Sequence, residues 1–174
     1  LIDTDNKALA VKMANIAANE AWRIEDKYSR YDQSSLCSNI NKNAGKQVNI
    51  DEETYHLFNF AQQCYDMSDA AFDITSGILR KVWRFDGSDN VPSKESVNKL
   101  LQFVGWDQVS YSPTTVMLKK GMEIDFGGLG KEYAVDRAIL LLSEIANIPF
   151  LVNYGGDLAV HGQRIANAPW QVGI

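Results

Sequence analysis

The sequence predicts an α+β protein in which an antiparallel β-sheet packs with helices. Apolar residues recur at helical spacing in several segments of residues 1–105, so this N-terminal half is predicted to be mainly helical. Over residues 106–174, β-rich runs separated by turn residues mix with one further helix. Helices first and mixed elements afterwards are typical of an α+β arrangement rather than of a regular βαβ winding.

Composition and charge indicate a globular chain that does not bind nucleic acid. The chain has 174 residues, of which 45% are hydrophobic and 22% are charged, and such a chain buries roughly 70% of its unfolded surface. Its net charge of −5 leaves no basic stripe for nucleic-acid phosphates or anionic lipid. No uncharged apolar run reaches the ~18 residues of a membrane-spanning helix, so no membrane span is expected in this chain.

The first helix is predicted over about residues 5–28, where apolar residues follow a near-helical period. Its apolar positions are Ala8, Val11, Ala14, Ile16, Ala18, Trp22 and Ile24. Residues 29–50 are dense in Ser, Asn, Gly and Asp, which predicts a long loop.

A second helix opens at Asp51-Glu52-Glu53, because acidic side chains suit the positive end of a helix dipole. Its apolar face is expected at Leu57, Phe60, Ala61 and Cys64. Short helices are predicted over residues 73–83 and after Pro92. The inward positions of the latter are Val97, Leu100, Leu101 and Phe103.

Strand periodicity dominates the remainder, apart from a strongly helical segment at Lys131–Ile145. Six strands are predicted: Val109–Tyr111, Thr115–Leu118, Met122–Phe126, Phe150–Asn153, Leu158–His161 and Trp170–Ile174. The first three are predicted to form an antiparallel meander. The last strand stops without a turn or polar tail, so we expect the natural chain to continue past Ile174.

A glycine-rich turn that opens a helix lies within Asp125–Asp136. Glycines let the backbone approach a ligand, and unpaired N–H groups at a helix start suit a phosphate. The segment fits neither the Walker A pattern nor the dinucleotide-binding glycine pattern. It is either another phosphate-compatible loop or a turn needed only for packing. Glu132 and Asp136 share one helix face, either as ligand groups or as solvated carboxylates.

Three other polar segments are candidates, each with a structural alternative. Asn153–Asp157, with the sequence Asn-Tyr-Gly-Gly-Asp, is either a ligand-facing turn or a plain β-turn. Asp73 and Thr75 either cap a helix or form a buried pair that supports a planar heterocycle. Tyr31, in the polar segment Ser29–Ser35, either covers a flat ring or lies in a surface loop.

Together and in this order, the four segments resemble the ApbE-type flavin transferases, the FAD:protein FMN transferases. The first two resemble the family patterns Ser-x-Tyr-x-x-x-Ser, followed by Asn, and Phe-Asp-x-Thr. The other two resemble Asp-x-Gly-Gly-x-Ala-Lys-Gly-Tyr-x-x-Asp and Asn-x-Gly-Gly-Asp. The residues that carry the resemblance are Ser29, Tyr31, Ser35, Asn41, Phe72, Asp73, Thr75, Gly77, Leu79, Trp83, Phe85, Asp125–Asp136, Asn153, Gly155, Gly156 and Asp157.

The resemblance implies magnesium-dependent transfer of the FMN moiety of FAD to a threonine hydroxyl of an acceptor flavoprotein subunit of the redox-pump type, with release of AMP. It also implies a periplasmic or other extracytoplasmic location, with a lipid anchor on a segment not present here. FAD is the implied substrate and Mg²⁺ the implied metal, to which Gly130 offers its carbonyl. The implied FAD-binding residues are Tyr31, Asp73, Thr75, Lys131, Tyr133, Asp136, Asn153, Gly155, Gly156 and Asp157. All four segments are expected to form one pocket.

The chain departs from the family pattern at Ala70, Ile78, Gly130 and Glu132. Glu132 adds a negative charge beside the implied phosphate path. The family's later segment, with metal-binding Asp and Thr and a catalytic His, has no counterpart before Ile174, so no catalytic residue is assigned. We therefore expect residues 1–174 to be an ApbE-like domain without its C-terminal part. A non-catalytic FAD-binding module and an FAD pyrophosphatase that gives FMN and AMP are the alternatives.

Overall fold

The computed structural model describes residues 1–84, 86–87, 89–164 and 168–173. Phe85 of the second motif therefore lies outside the described residues. The chain divides into two compact units. The terminal unit comprises Leu1–Lys27 and Gly127–Ile174, and the central unit comprises Tyr28–Phe126. Helices and antiparallel strands occur in both units, so the predicted α+β class is confirmed.

The helices match the predicted helical segments, with two additions, at Leu36–Lys42 and Trp106–Gln108. They are α1 (Lys7–Tyr28), α2 (Leu36–Lys42), α3 (Glu52–Met67), α4 (Lys94–Leu101) and α5 (Gly130–Ile145), with 3₁₀ helices at Ile74–Lys81 and Trp106–Gln108. The strands are β1 (Gln47–Asn49), β2 (Val109–Tyr111), β3 (Thr115–Leu118), β4 (Phe150–Tyr154) and β5 (Asp157–His161). Among the described residues, no helix is both long and apolar enough to cross a bilayer.

In the terminal unit, α5 packs on the antiparallel hairpin formed by β4 and β5. Its buried core consists of Met13, Val135, Ala138, Leu142, Phe150 and Val152. The residues before α1 extend the sheet along β4, because the Leu151 N–H donates to the Leu1 carbonyl at 2.8 Å and Ile2 pairs with Phe150. Helices α1 and α5 and the hairpin thus share one core.

The predicted apolar face of α1 is wrong in most positions. The buried residues of this helix are Met13, Glu20, Ile24 and Tyr28. Of the predicted positions only Ile24 is buried, whereas Val11 is 52% and Trp22 60% exposed. Apolar side chains lie on more than one face of α1, and periodicity does not tell which face packs.

The central unit contains a three-stranded antiparallel sheet in the order β1-β3-β2. Val116 of β3 lies opposite Val48 of β1 and Tyr111 of β2. The predicted pairing of residues 109–111 with 115–118 is consistent with this sheet. Its third strand, however, is β1, which lies in the segment predicted to be a loop.

The predicted loop over residues 29–50 is wrong, since it contains α2 as well as β1. The Ser35 hydroxyl caps α2 by accepting the Ser38 N–H at 3.0 Å. The apolar side chains of Cys37 and Ile40, both on this short helix, are buried. A helix of seven residues and a strand of three need few apolar side chains, so the polar composition hid both.

The predicted strand at Met122–Phe126 is also wrong, because these residues pair with no strand. The Asn41 side chain donates to the Ile124 carbonyl at 2.9 Å and accepts the Ile124 N–H at 2.8 Å. The Asp125 N–H donates to the Ile74 carbonyl at 2.9 Å. These bonds replace a strand partner, while alternate apolar side chains of the segment are buried.

The last predicted strand is wrong as well, since residues 170–173 form no strand. Its final residue, Ile174, lies outside the described residues. The Trp170 indole N–H donates to the Gly162 carbonyl at 3.1 Å, and the Arg164 guanidinium lies 5.6 Å from the ring centroid of Trp170. Side-chain contacts, rather than a strand ladder, therefore hold this segment.

Two helix faces differ from the predicted ones. On α3, Leu57 and Ala61 are buried as predicted, but Phe58 is fully buried where Phe60 was expected and Phe60 is 41% exposed. The Phe58 ring packs 5.5 Å from the Phe126 ring between centroids, which places it in an aromatic core. In α4, no residue is fully buried, so its expected inward face is only partly covered.

Candidate functional site

A cavity of about 830 Å³ in the central unit brings together residues of the first two motif segments and the first residue of the third. Its lining residues are Arg30, Tyr31, Ser76, Gly77, Leu79, Arg80, Lys81, Trp83 and Asp125. This volume lies in the range of small-molecule sites. Aromatic side chains and cations share the lining, which favours a ligand with a flat ring and negative charge.

Tyr31 offers the most accessible aromatic surface of this cavity. It is 78% exposed, and its hydroxyl accepts a hydrogen bond from Arg30 Nη2 at 2.7 Å. The Arg30 guanidinium lies 4.8 Å from the centroid of the Tyr31 ring and forms an ion pair with Asp125. The ring is thus oriented by its neighbour and remains accessible for stacking.

Two carboxylates of the 122–126 segment hold the cations of the cavity wall. Asp125 pairs with Arg30, and Glu123 pairs with both Arg80 and Lys81, at 2.6 Å from the Lys81 Nζ. Glu123 is 15% exposed. Sequence reasoning missed Glu123 and Arg80, because the segment was interpreted as a strand and its acidic residues had no assigned partner.

The side chains of Asp73 and Thr75 form hydrogen bonds within the protein. Asp73 Oδ1 accepts the Thr75 N–H at 2.7 Å and the Thr75 hydroxyl at 2.6 Å, and Asp73 Oδ2 accepts the Trp106 N–H at 3.1 Å. The fully buried Thr75 hydroxyl also accepts the Gly105 N–H at 2.8 Å. These bonds correspond to the capping interpretation, and a role in ligand binding stays a prediction for both residues.

Gly77 has a packing reason that the sequence did not reveal. A Cβ at this position would lie 2.7 Å from the Asp125 Cβ and 2.9 Å from the Asp125 backbone nitrogen. Only glycine allows the 3₁₀ helix to approach the 124–125 backbone this closely. Gly77, which itself lines the cavity, therefore lets the 3₁₀ helix lie directly against the 124–125 backbone at the cavity wall.

In the terminal unit, the motif Asn153–Asp157 forms the tip of the β4–β5 hairpin. Gly155 and Gly156 have φ angles of +68° and +111°, as a two-residue type I′ turn requires. The Gly156 N–H donates to Asn153 Oδ1 at 2.9 Å. The Asp157 carboxylate pairs with Lys131 Nζ at 3.1 Å, an interaction outside its own turn.

The last two motif segments meet through that ion pair. Gly130 is the first residue of α5, and Leu129 before it provides no side-chain cap. A cavity of about 380 Å³ lies beside the ion pair, and its lining residues are Glu132, Val135, Asp136, Gly156, Asp157 and Leu158. Tyr133 is partly buried, and its N–H donates to the Leu129 carbonyl at 2.9 Å.

This second cavity is acidic, since it presents the carboxylates of Glu132, Asp136 and Asp157. Carboxylates accept hydrogen bonds from hydroxyl and amino groups, and Lys131 is the neighbouring cation. In the part of the chain that the structure describes, no group of three or more His, Cys, Asp or Glu side chains could hold a metal ion. The described side chains therefore do not form a magnesium site by themselves.

Each unit thus brings motif segments together. The first and second segments, with Asp125 from the start of the third, line one cavity, and later residues of the third segment line the other cavity with the fourth. Asn41, which belongs to the first motif, has a role that sequence reasoning missed: it binds the Ile124 backbone through both atoms of its amide. The expectation that all four segments form one pocket stays a prediction.

The model of the ApbE family matches residues 3–174. The chain belongs to the ApbE family. The FAD:protein FMN transferase of Chlamydia pneumoniae is 28% identical over 158 residues, which cover 86% of this ApbE chain and 49% of that protein. The enzyme of the same name from Klebsiella pneumoniae (strain 342) is 29% identical over 158 residues, which cover 87% of this chain and 48% of that enzyme. This ApbE chain thus spans about half the length of the curated relatives it matches.

Solved structures of ApbE proteins share the fold of this chain. The crystal structure of the ApbE protein from Thermotoga maritima MSB8 superposes with a TM-score of 0.87 at 33% identity, covering 96% of this chain and 56% of that one. The apo flavinyl transferase ApbE of Pseudomonas stutzeri superposes with a TM-score of 0.82 at 23% identity, covering 99% of this chain and 55% of that one.

Proposed function

We propose that this ApbE-family chain binds FAD as part of a magnesium-dependent FAD:protein FMN transferase. The enzyme passes the FMN moiety of FAD to a threonine hydroxyl of an acceptor flavoprotein subunit of the redox-pump type. The observation that carries the proposal is the family match over residues 3–174. The Chlamydia and Klebsiella relatives, which are FAD:protein FMN transferases by name, support it.

The central-unit cavity suits the flavin end of FAD. Tyr31 would stack on the isoalloxazine ring, since its ring is oriented by Arg30 and is 78% exposed. Asp73 and Thr75 would support the cavity through their bonds to residues 105 and 106. The cations Arg30, Arg80 and Lys81 on the cavity wall favour a ligand that carries negative charge.

The terminal-unit cavity suits the adenosine and phosphate end. Lys131 would meet a phosphate at the start of α5, where the helix dipole also favours negative charge. Asp136 would accept a hydrogen bond from the adenosine, and Gly155–Asp157 would contact the dinucleotide. Because Asp157 already holds the Lys131 ammonium at 3.1 Å, the lysine is oriented before any phosphate arrives.

Magnesium belongs to the proposal through the family resemblance and the charge of the substrate. When bound, it would offset the pyrophosphate charge, and Mg²⁺ prefers oxygen ligands together with substrate phosphates. Gly130 would contribute its backbone carbonyl. The described side chains do not form a metal site by themselves.

The transfer exchanges one phosphorus–oxygen bond for another. The threonine oxygen forms a bond to the phosphorus on the FMN side, and the bond from that phosphorus to the bridging oxygen breaks. AMP leaves with the bridging oxygen, and the hydroxyl proton is released. Positioning and charge stabilisation supply most of the catalysis in such reactions, which is the part that these side chains serve.

We propose a periplasmic or other extracytoplasmic location for the whole protein, with a lipid anchor on a segment not present in these residues. Fractionation of cells that express the native gene tests this proposal. We expect the protein in the membrane-associated extracytoplasmic fraction, and recovery from the cytoplasm alone would refute it.

The decisive experiment titrates FAD into the purified chain with Mg²⁺ and follows flavin fluorescence and thermal stability. We expect quenching and a raised Tm, and the absence of both would refute the flavin proposal. Incubation of the full-length protein with FAD, Mg²⁺ and a threonine-containing acceptor then identifies the reaction by mass spectrometry. An acceptor that gains FMN supports transfer, AMP and free FMN alone indicate a pyrophosphatase, and binding without AMP indicates a binding module.

A further inference from the structure

Helix α1 is tied to both halves of the terminal-unit site by two polar side chains, Glu20 and Tyr154. Glu20 lies on α1 and is only 7% exposed. Its Oε1 accepts a hydrogen bond from Arg137 Nε of α5 at 3.3 Å. The Tyr154 hydroxyl, at the end of β4, donates to the Ala17 carbonyl of α1 at 2.6 Å.

Both contacts end one residue from a proposed site residue. Arg137 follows Asp136, and Tyr154 precedes Gly155. The ion pair between Lys131 and Asp157 joins α5 to β5 on the other side. The polar contacts therefore form a closed ring that runs from α1 to α5, across the ion pair to the hairpin, and back to α1.

The chemistry of Glu20 indicates a specific role rather than simple packing. A buried carboxylate is costly unless it is paired, and Glu20 has two arginine partners. Arg23 Nε and Nη2 donate to it at 2.8 Å each, in addition to Arg137. The hydrogen bond from Arg23 lowers the pKa of Glu20 against the opposing effect of burial, so the side chain stays charged at neutral pH.

We infer that Glu20 and Tyr154 are positioning residues for the proposed dinucleotide site. They fix α5 and the β4–β5 hairpin at the separation at which Lys131 meets Asp157. Neither side chain lines the cavity, so each acts through its neighbour. The inference rests on the proposed function, because the site that is positioned is the proposed site for FAD.

The test uses Tyr154→Phe and Glu20→Gln, which remove the contacts with little change in volume. Hydrogen exchange of the amides in the Tyr154–Asp157 and Asn153–Leu158 pairs is measured by NMR without ligand. Losing the Tyr154 hydrogen bond to α1, or the Glu20 hydrogen bond from Arg137, should speed this amide exchange about five-fold. The Kd for FAD should rise about five-fold in the same variants.

Arg23→Gln is the matched control, because it removes the helical partner of Glu20 and leaves Arg137 in place. We expect its hairpin exchange and its Kd for FAD to equal those of the wild type. Tyr154→Phe keeps the inference testable if Glu20→Gln fails to fold, since it removes only one hydroxyl.

The outcomes separate the inference from the proposed function. Unchanged hairpin exchange in Tyr154→Phe overturns the inference, as does faster exchange with an unchanged Kd for FAD. An equal effect of Arg23→Gln also overturns it, because the response would then be a general loss of helix stability. If the wild type binds no FAD while exchange still rises in the variants, the proposed function fails and the positioning of the hairpin stands.

Discussion

The two units use their motif residues differently. In the central unit, Asn41, Thr75 and Gly77 are committed to internal contacts: Asn41 and Thr75 bond backbone groups, and Gly77 lies against the Asp125 backbone. In the terminal unit, the motif residues lie at a turn and on an accessible helix face, and Lys131 is 60% exposed. Membership of a motif therefore does not tell whether a residue holds the fold or meets a ligand. Substitutions should separate the two kinds.

The largest effect on stability is expected for Asn41→Ala. This change leaves the Ile124 N–H without its partner and the Ile124 carbonyl with only the weak Cys37 thiol donor at 3.7 Å, and an unsatisfied buried group costs about 1–3 kcal/mol. The free energy of unfolding should fall by about 3 kcal/mol in a urea titration. Asn39→Ala on the exposed side of the same helix is the control and should stay within about 0.5 kcal/mol of the wild type. Equal stability of the two variants would contradict the assigned role of Asn41.

Gly77→Ala should destabilise the protein by about 2 kcal/mol, because its Cβ would lie 2.9 Å from the Asp125 backbone nitrogen. The control is Gly130→Ala, where a Cβ meets nothing within 4 Å at the start of a helix. That variant should equal or exceed the wild type in stability, since alanine favours a helix. Thermal unfolding of the two variants measures the difference. A loss in Gly130→Ala as large as that in Gly77→Ala would end the argument from close packing.

Glu20 tests whether a residue outside the motifs stabilises the terminal unit. Its pKa is lowered in the folded protein by the hydrogen bond from Arg23, so its ionised form contributes stability above the pKa of the unfolded chain. That contribution is lost as the pH falls through the lower folded pKa. The free energy of unfolding of the wild type should exceed that of Glu20→Gln by about 1 kcal/mol at pH 7. This difference should disappear at acid pH. A gap that is constant from pH 7 to acid pH would exclude this linkage.

Asp136→Ala should have the smallest effect on stability and a clear effect on ligand binding. The Asp136 side chain is exposed and lines the acidic cavity, so the free energy of unfolding should change by less than about 0.5 kcal/mol. The affinity for FAD should fall about ten-fold, as for loss of a charged hydrogen bond. Glu144→Ala, on the same helix and away from the cavity lining, should bind FAD as the wild type does. Unchanged affinity in Asp136→Ala would remove this residue from the site.

Local signals predicted most helices correctly, including the acidic start of α3. The structure has Glu52 and Glu53 in the first turn, as the dipole argument predicted, and it adds a cap, because Asp51 accepts the Thr54 N–H at 3.0 Å. The β4–β5 hairpin was also predictable from local signals, because two adjacent glycines between apolar runs specify its turn. The predicted strand at Met122–Phe126 failed, because its backbone partners are Asn41 and Ile74, which are far away in the sequence.

The sequence by itself determined the class of the fold, the hairpin turn and the order of motifs that resembles the ApbE family. These features depend on residues close together in the chain: periodicity, caps and glycines at positive φ. Only the tertiary structure decided which face of α1 is buried, that Asn41 replaces a strand partner and that Glu20 pairs with Arg137. Such contacts join residues whose separation along the chain is large, and whether a polar side chain meets a partner depends on packing that no local pattern encodes.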